Sequence, residues 1–151
     1  MQYWICVTAI DNWERIENEN VWAVGERGIK KIKKVLPADK LVFYLKNPVK
    51  AIAGIYEASS SMYIERRTPM WKGQLYPYRI KIRPLKRVII ERELPDRKIL
   101  LGLSEIIGLM TSLHTLAALQ GKSMIQITGA EFRIINSLLS RKTKETARKA
   151  A

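Results

Sequence analysis

A chain of 151 residues and 17.4 kDa supplies one domain, and its 47% apolar and 27% charged residues are the composition of a folded globule. Twenty-seven Lys+Arg against fourteen Asp+Glu leave a net charge of +13 and a pI near 10, which excludes a neutral surface and points to a polyanion, either nucleic acid or an anionic membrane. The single cysteine, Cys6, excludes an internal disulfide and a cysteine-rich zinc site, and the single histidine, His114, excludes a histidine metal cluster within one chain.

Residues 3–8 (Tyr-Trp-Ile-Cys-Val-Thr) form a short apolar run of aromatic and β-branched types, which predicts a buried strand. This start carries neither a basic region nor a cleavage site and is not read as a signal peptide. No run approaches the roughly 18 apolar residues of a spanning helix. The expectation is a soluble cytoplasmic protein that makes no use of a membrane. Asp11 is placed to cap a short helix, with Glu14 completing a capping box and Trp13, Ile16 and Glu17 continuing it to a stop at Asn18-Glu19-Asn20. Val21-Trp22-Ala23-Val24 reads as a second strand. From Ile29 to Val35 the apolar positions Ile29, Ile32 and Val35 fall at helical spacing, leaving Lys30, Lys31, Lys33 and Lys34 on the exposed side.

Pro37-Ala38-Asp39 is a turn into the strand Lys40 to Leu45, and Asn47-Pro48 a turn into the strand Ala51 to Ala58. Gly54 within that strand signals a bulge or a close backbone approach. Ser59-Ser60-Ser61 is a polar break before the extended stretch Tyr63 to Arg67, and Thr68 to Gly73 reads as an exposed loop. The strand Tyr76 to Leu85 is the most regular alternation in the chain, with Tyr78, Ile80 and Ile82 on one face and Arg79, Lys81 and Arg83 on the other. Val88-Ile89-Ile90 are placed to extend the sheet until Pro95 ends it. A helical pattern follows from Ser104 to Leu119, and Thr128-Gly129-Ala130-Glu131 is a capping box ahead of a last helix through about Leu139. Residues 141–151 carry five bases and one acid and are expected to form a frayed helical or disordered basic tail. Strands with helices segregated between and after them make an α+β fold, with a curved or barrel-like sheet rather than parallel βαβ alternation.

The four tryptophans and the bases are the two signals that bear on function. Trp4, in an apolar strand, is expected to be core. Trp71 lies between Pro69 and Gly73 beside Lys72, where a surface aromatic next to a cation suits the stacking of an unpaired base, worth about 1–3 kcal/mol. Arg79, Lys81 and Arg83 together with the lysines from Lys30 to Lys34 could track phosphates. The alternative, a solvated face of a thermostable protein, normally carries matching acids, and here the acids number about half the bases. Nucleotide-binding glycine loops, a zinc-protease helix motif and a nucleophile elbow are all missing from the sequence. Cys6 and His114 read as packed side chains. No metal, cofactor or catalytic set is expected.

The segments Tyr3 to Thr8, Asn12-Trp13, Asn20 to Val24, Lys40 to Tyr44 and Trp71-Lys72-Gly73-Gln74-Leu75-Tyr76-Pro77-Tyr78-Arg79 together resemble the EVE-domain family. That family belongs to the PUA-like superfold and is related to the YTH readers of methylated adenine in RNA. The chain looks like one of its small archaeal single-domain members, an uncharacterised protein family. The resemblance covers residues 1 to about 140, so that 1–140 is the expected domain and 141–151 the tail. It implies a mainly antiparallel pseudo-barrel flanked by helices, with a pocket for a flipped base at one end. By the same resemblance Trp22 and Trp71 are facing pocket walls, and Asn12, with Thr8 beside it, reads the base edge. The readers often carry a third apolar or aromatic wall five residues before the loop tryptophan. Arg66 stands there in this sequence, so that either it stacks or pairs with phosphate instead, or the pocket is open and prefers something other than methyladenine.

These readings give a nucleic-acid-binding module, RNA more readily than DNA, that recognises a base, including a modified one, in an aromatic pocket ringed by cations. The expected anion-binding set is Arg27, Lys30, Arg66, Arg67, Lys72, Arg79 and Lys81, with small anions held at the pocket mouth of a monomer. Two alternatives are an enzyme acting on a modified base or nucleoside, and a charge-driven ribosome- or tRNA-associated adaptor without a base pocket.

Overall fold

The computed structural model describes residues 1–46, 51–71, 73–87, 101–102 and 123–150, with backbone alone for 101–102 and 141–150. The framework is β1 (Tyr3–Thr8), α1 (Ile10–Glu19), β2 (Val21–Val24), α2 (Ile29–Ile32), β3 (Lys40–Leu45), β4 (Ala51–Ala58), β5 (Tyr63–Ile64), β6 (Tyr78–Arg87), β7 (Leu101–Gly102), β8 (Met124–Ile127) and α3 (Gly129–Ala150). One curled sheet carries the strand order β2-β6-β4-β3-β1-β8, with β5 added to β6 and β7 to β4. β1 and β3 run parallel, from Tyr3 opposite Lys40 to Thr8 opposite Leu45, and the remaining described ladders are antiparallel.

The central strands read as unbroken apolar runs because both of their faces are covered. One face of β1, β3 and β4 (Trp4, Cys6, Leu41, Phe43, Tyr56) packs inside the curl with Trp13 and Ile16 of α1 and Ile32 of α2. The other face (Ile5, Val7, Val42, Tyr44, Ile52, Ile55) is covered by Phe132, Ile135 and Leu139 of α3. Closure near β8 depends on a glycine. A Cβ on Gly28 would stand 2.7 Å from Val24 and 2.8 Å from the Ser123 hydroxyl, so only a bare backbone lets this turn pass. Gly54 meets the same limit, since a Cβ there would lie 2.7 Å from the Lys86 carbonyl. The register between β4 and β6 shifts beside it, between Ile55 and Tyr56, where Pro84 enters the ladder.

The capping box forms as expected. The Glu131 amide donates to Thr128 Oγ1 at 3.1 Å and the Thr128 amide to Glu131 Oε1 at 2.9 Å. The expected Asp11 cap does not form, because the N-cap falls two residues earlier, at Ala9, with no side-chain bond there. Asn20 ends that helix in the left-handed region, φ 53°. The predicted helix Ile29 to Val35 is a 3₁₀ turn (Glu26–Gly28) and the single turn α2. The Tyr63 to Arg67 stretch shortens to β5, and the strand expected from Tyr76 begins at Tyr78. α3 runs on to Ala150, so the backbone of the tail is helical rather than a separate coil. The Asn47-Pro48 turn, Lys72, the Val88 to Ile90 extension, Pro95, the Ser104 to Leu119 helix with His114, and Ala151 lie outside the described residues.

Candidate functional site

Phe43 of β3 centres an aromatic cluster inside the curl, its ring centroid 5.3 Å from Trp13, 5.4 Å from Trp22 and 5.2 Å from Tyr56. Trp22 is held from β2, opposite Ile80 of β6. Trp71, 49 positions further along the chain, closes on it with centroids 6.1 Å apart and planes tilted by 41°. Tyr76 packs on Trp71 in turn, at 5.7 Å and 48°. Ring contacts therefore run unbroken from Tyr76 at the loop to Tyr56 in the interior. The buried indole N–H groups of Trp13 and Trp22 have no hydrogen-bond partner among the described residues. Burial pushes the Tyr56 phenol up to about 12, with the Glu17 charge adding to it and Arg87 opposing, and burial also raises Glu17. The deep end of the cluster thus favours neutral groups.

The expectation for Trp71 is corrected by its burial. It is 7% exposed and part of the core, because its segment folds back so that the indole packs on Trp22 and Tyr76. A base held between two walls needs about 7 Å, two stacking separations of roughly 3.5 Å. Trp22 and Trp71 are in contact, so the slot is closed in this structure. The loop is built to present Trp71. Gly73 takes φ 70°, the Gln74 amide returns to the Trp71 carbonyl at 2.9 Å, and the Met70 amide reaches the Gln74 carbonyl at 2.8 Å. Tyr76 follows at φ 41°, an uncommon conformation for a tyrosine.

Two arginines fasten this loop. Arg15 of α1 donates to the Met70 carbonyl. Arg79 donates to the carbonyls of Thr68, Leu75 (2.8 Å) and Tyr76 (3.1 Å). Arg79 was expected on the solvent face with Lys81 and Arg83. It is instead 5% exposed, and its guanidinium is occupied by loop carbonyls rather than open to phosphate. The alternation of β6 fails at this residue because the folded-back loop covers what would have been the wet face. Neither Arg15 nor Tyr76 was singled out from sequence, and nothing in local periodicity marks either one.

The other expected cations are placed on the surface. Arg27, Lys30, Arg66, Arg67 and Lys81 are exposed, whereas Lys72 lies outside the described residues. Tyr78 links Arg66 to the segment that carries Arg27. The Tyr78 hydroxyl donates to Glu26, the neighbour of Arg27, at 2.7 Å, and the Arg66 guanidinium stands 5.9 Å from the Tyr78 ring centroid. Asn12 and Thr8 are brought together as a pair, with Asn12 Nδ2 3.3 Å from Thr8 Oγ1, a long and weak contact. Asn12 is half-buried and Thr8 buried. They adjoin the aromatic cluster through Trp13, the next residue of α1. Among the described residues no group of His, Cys, Asp and Glu could hold a metal ion, and no helix is long and apolar enough to cross a membrane.

A curled mixed sheet with helices packed on both faces and an aromatic cluster inside the curl is a PUA-like α+β fold. The EVE-domain family model matches residues 2–138, and the chain belongs to that family. It is 35% identical over 152 residues to a UPF0310 protein of Pyrococcus abyssi, covering 92% of this chain and 100% of the relative. Among solved structures it is similar in fold to the Mmi1 YTH domain in complex with RNA (TM-score 0.67, 15% identity, 96% of this chain and 81% of that one). A second similar fold is the YTH domain of the Zygosaccharomyces rouxii MRB1 protein in complex with N6-methyladenosine RNA (TM-score 0.60, 15% identity, 91% and 86%).

Proposed function

We propose that this EVE-domain protein is a nucleic-acid-binding module that takes one base of a single strand, RNA in preference to DNA, between Trp22 and Trp71. The observation that carries the reading is the convergence of these two indoles from positions 49 apart, in ring contact within one aromatic cluster. The exposed bases Arg27, Lys30, Arg66, Arg67 and Lys81 and the charge of +13 support it, as do fold neighbours that were solved with RNA. For a base to enter, Trp71 must swing away from Trp22. The loop from Thr68 to Tyr76 is the element that moves, and Arg15 and Arg79 set its resting position. Stacking then supplies affinity and tolerates any π-face, while hydrogen bonds from the Trp22 indole and from Asn12 and Thr8 choose the base, a modified one included. The mouth accepts small anions such as phosphate, sulfate or citrate in place of a nucleotide phosphate. The cytoplasm is the setting in which such a module meets its partner.

The test is mass spectrometry of nucleic acid co-purified with the protein, followed by titration of the enriched nucleoside while the indole N–H resonances are observed. Shifts concentrated on Trp22 and Trp71 are expected. Shifts confined to surface lysines and arginines, with both indoles unmoved, would overturn the base pocket and leave only charge-driven binding.

A further inference from the structure

Tyr78 is buried and its hydroxyl is fixed on Glu26 at 2.7 Å. Electron density drawn toward the ring by that carboxylate strengthens its attraction for a cation. The Arg66 guanidinium occupies the resulting position, 5.9 Å from the ring centroid, within the range of a cation–π contact. The backbone beneath Arg66 is pinned on both sides. The Glu65 amide donates to the Pro77 carbonyl at 2.8 Å, and the Arg67 amide donates to Glu65 Oε1 at 2.7 Å. That second bond engages the Glu65 carboxylate with its own turn, and among the described residues Arg66 takes part in no ion pair. An exposed guanidinium is thus already ordered against an aromatic ring without being neutralised. Ordering before binding removes most of the entropic penalty that a long side chain would otherwise incur. Arg66 is five residues from Trp71, at most about 18 Å along the chain, so it stands within reach of a nucleotide neighbouring the one in the cage.

We propose that Arg66, backed by Tyr78, is a stacking platform for the base that flanks the caged nucleotide. The partner is then a single strand from which two bases are bound, one between Trp22 and Trp71 and one on the guanidinium plane. This rests on the cage reading above and extends it to a second base. Arginine suits the role because its planar cation stacks on a base with one face while an aromatic ring holds the other. A lysine would carry the charge without the plane.

The experiment is a double-mutant cycle on single-stranded RNA trinucleotides, intact or with an abasic sugar at the centre or at either flank, with affinity measured by calorimetry. Removing one flanking base is expected to weaken wild-type binding roughly 5- to 150-fold. Arg66→Ala should weaken the intact trinucleotide by a similar factor and add nothing when that flank is abasic. Arg66→Lys should behave like Arg66→Ala. Additive losses from Arg66→Ala and the abasic flank, or full binding by Arg66→Lys, would overturn the platform and reduce Arg66 to a phosphate contact. An abasic centre that binds as well as the intact trinucleotide would overturn the cage instead, and no wild-type binding to any trinucleotide would overturn both. Arg66 is exposed, and an unchanged melting temperature in each variant separates these outcomes from a folding defect.

Discussion

An indole that is 7% exposed, in ring contact with both Trp22 and Tyr76, cannot be removed as an ordinary loop side chain would be. Trp71→Ala leaves a cavity between two aromatic rings as well as losing the buried area. The expected cost is about 3–5 kcal/mol, read as a lower urea midpoint with an unchanged slope. Trp71→Phe keeps a ring against Trp22 and should cost less than half as much. A Trp71→Ala variant as stable as the wild type would mean that this side chain lies out of the core in solution. The sequence around Trp71 misleads for a physical reason. Pro69, Lys72 and Gly73 carry the composition of a surface turn, and composition does not say which way a turn folds. Trp4 and Trp22 were legible as strand residues because their neighbours are β-branched and apolar over several positions.

At the scale of elements, the loop from Thr68 to Tyr76 hangs on Arg79. Its guanidinium satisfies three carbonyls that are otherwise left without this partner. Arg79→Met keeps the length and apolar stem of the side chain and removes the donors. Global stability should fall by about 1.5–3 kcal/mol, the range for hydrogen bonds to a charged group. Amide exchange at Met70 and Gln74, whose bonds close the Trp71 turn, should accelerate more than exchange in β3 or β4. Equal acceleration everywhere would show Arg79 to be a general core residue with no special hold on the loop. Elements whose signals are local were readable in advance. β1, β3 and β4 followed from apolar runs, and α3 from the reciprocal bonds of Thr128 and Glu131. Those set by distant contacts were not. Arg79 turned inward because a loop covers it, and the helix start at Ile10 replaced the Asp11 cap although Asp11 is the better capping residue by type.

Across the whole molecule the surplus of bases is divided between local pairs and open surface. Glu57 receives both Lys40, at 2.6 Å, and Arg83, and these bonds hold its carboxyl below the usual range. The bases from Arg27 to Lys34 belong to a segment with one acid, Glu26, which already accepts from Tyr78. Binding to single-stranded RNA should therefore weaken with salt at a slope of roughly −0.7 in log K per log salt for each phosphate neutralised. Replacing Lys30, Lys33 and Lys34 with glutamine should make that slope shallower without changing which base is preferred, since phosphate contacts position and do not specify. A slope that is flat in the wild type would overturn the electrostatic reading, and one unchanged in the variant would place the phosphate contacts elsewhere on the surface.

β1 is flanked by two strands of very different origin, β3 at moderate separation and β8 more than a hundred positions away, as in the pairing of Cys6 with Met124. A ribosome making this chain completes the first strand long before its outer neighbour exists. During that interval one edge of β1 has free N–H and C=O groups and can pair with another nascent copy. Non-local ladders of this kind also close slowly, because the intervening chain must be ordered before the pairing is rewarded. The same topology that covers β1 on both sides in the finished protein makes its synthesis the period of greatest risk of aggregation.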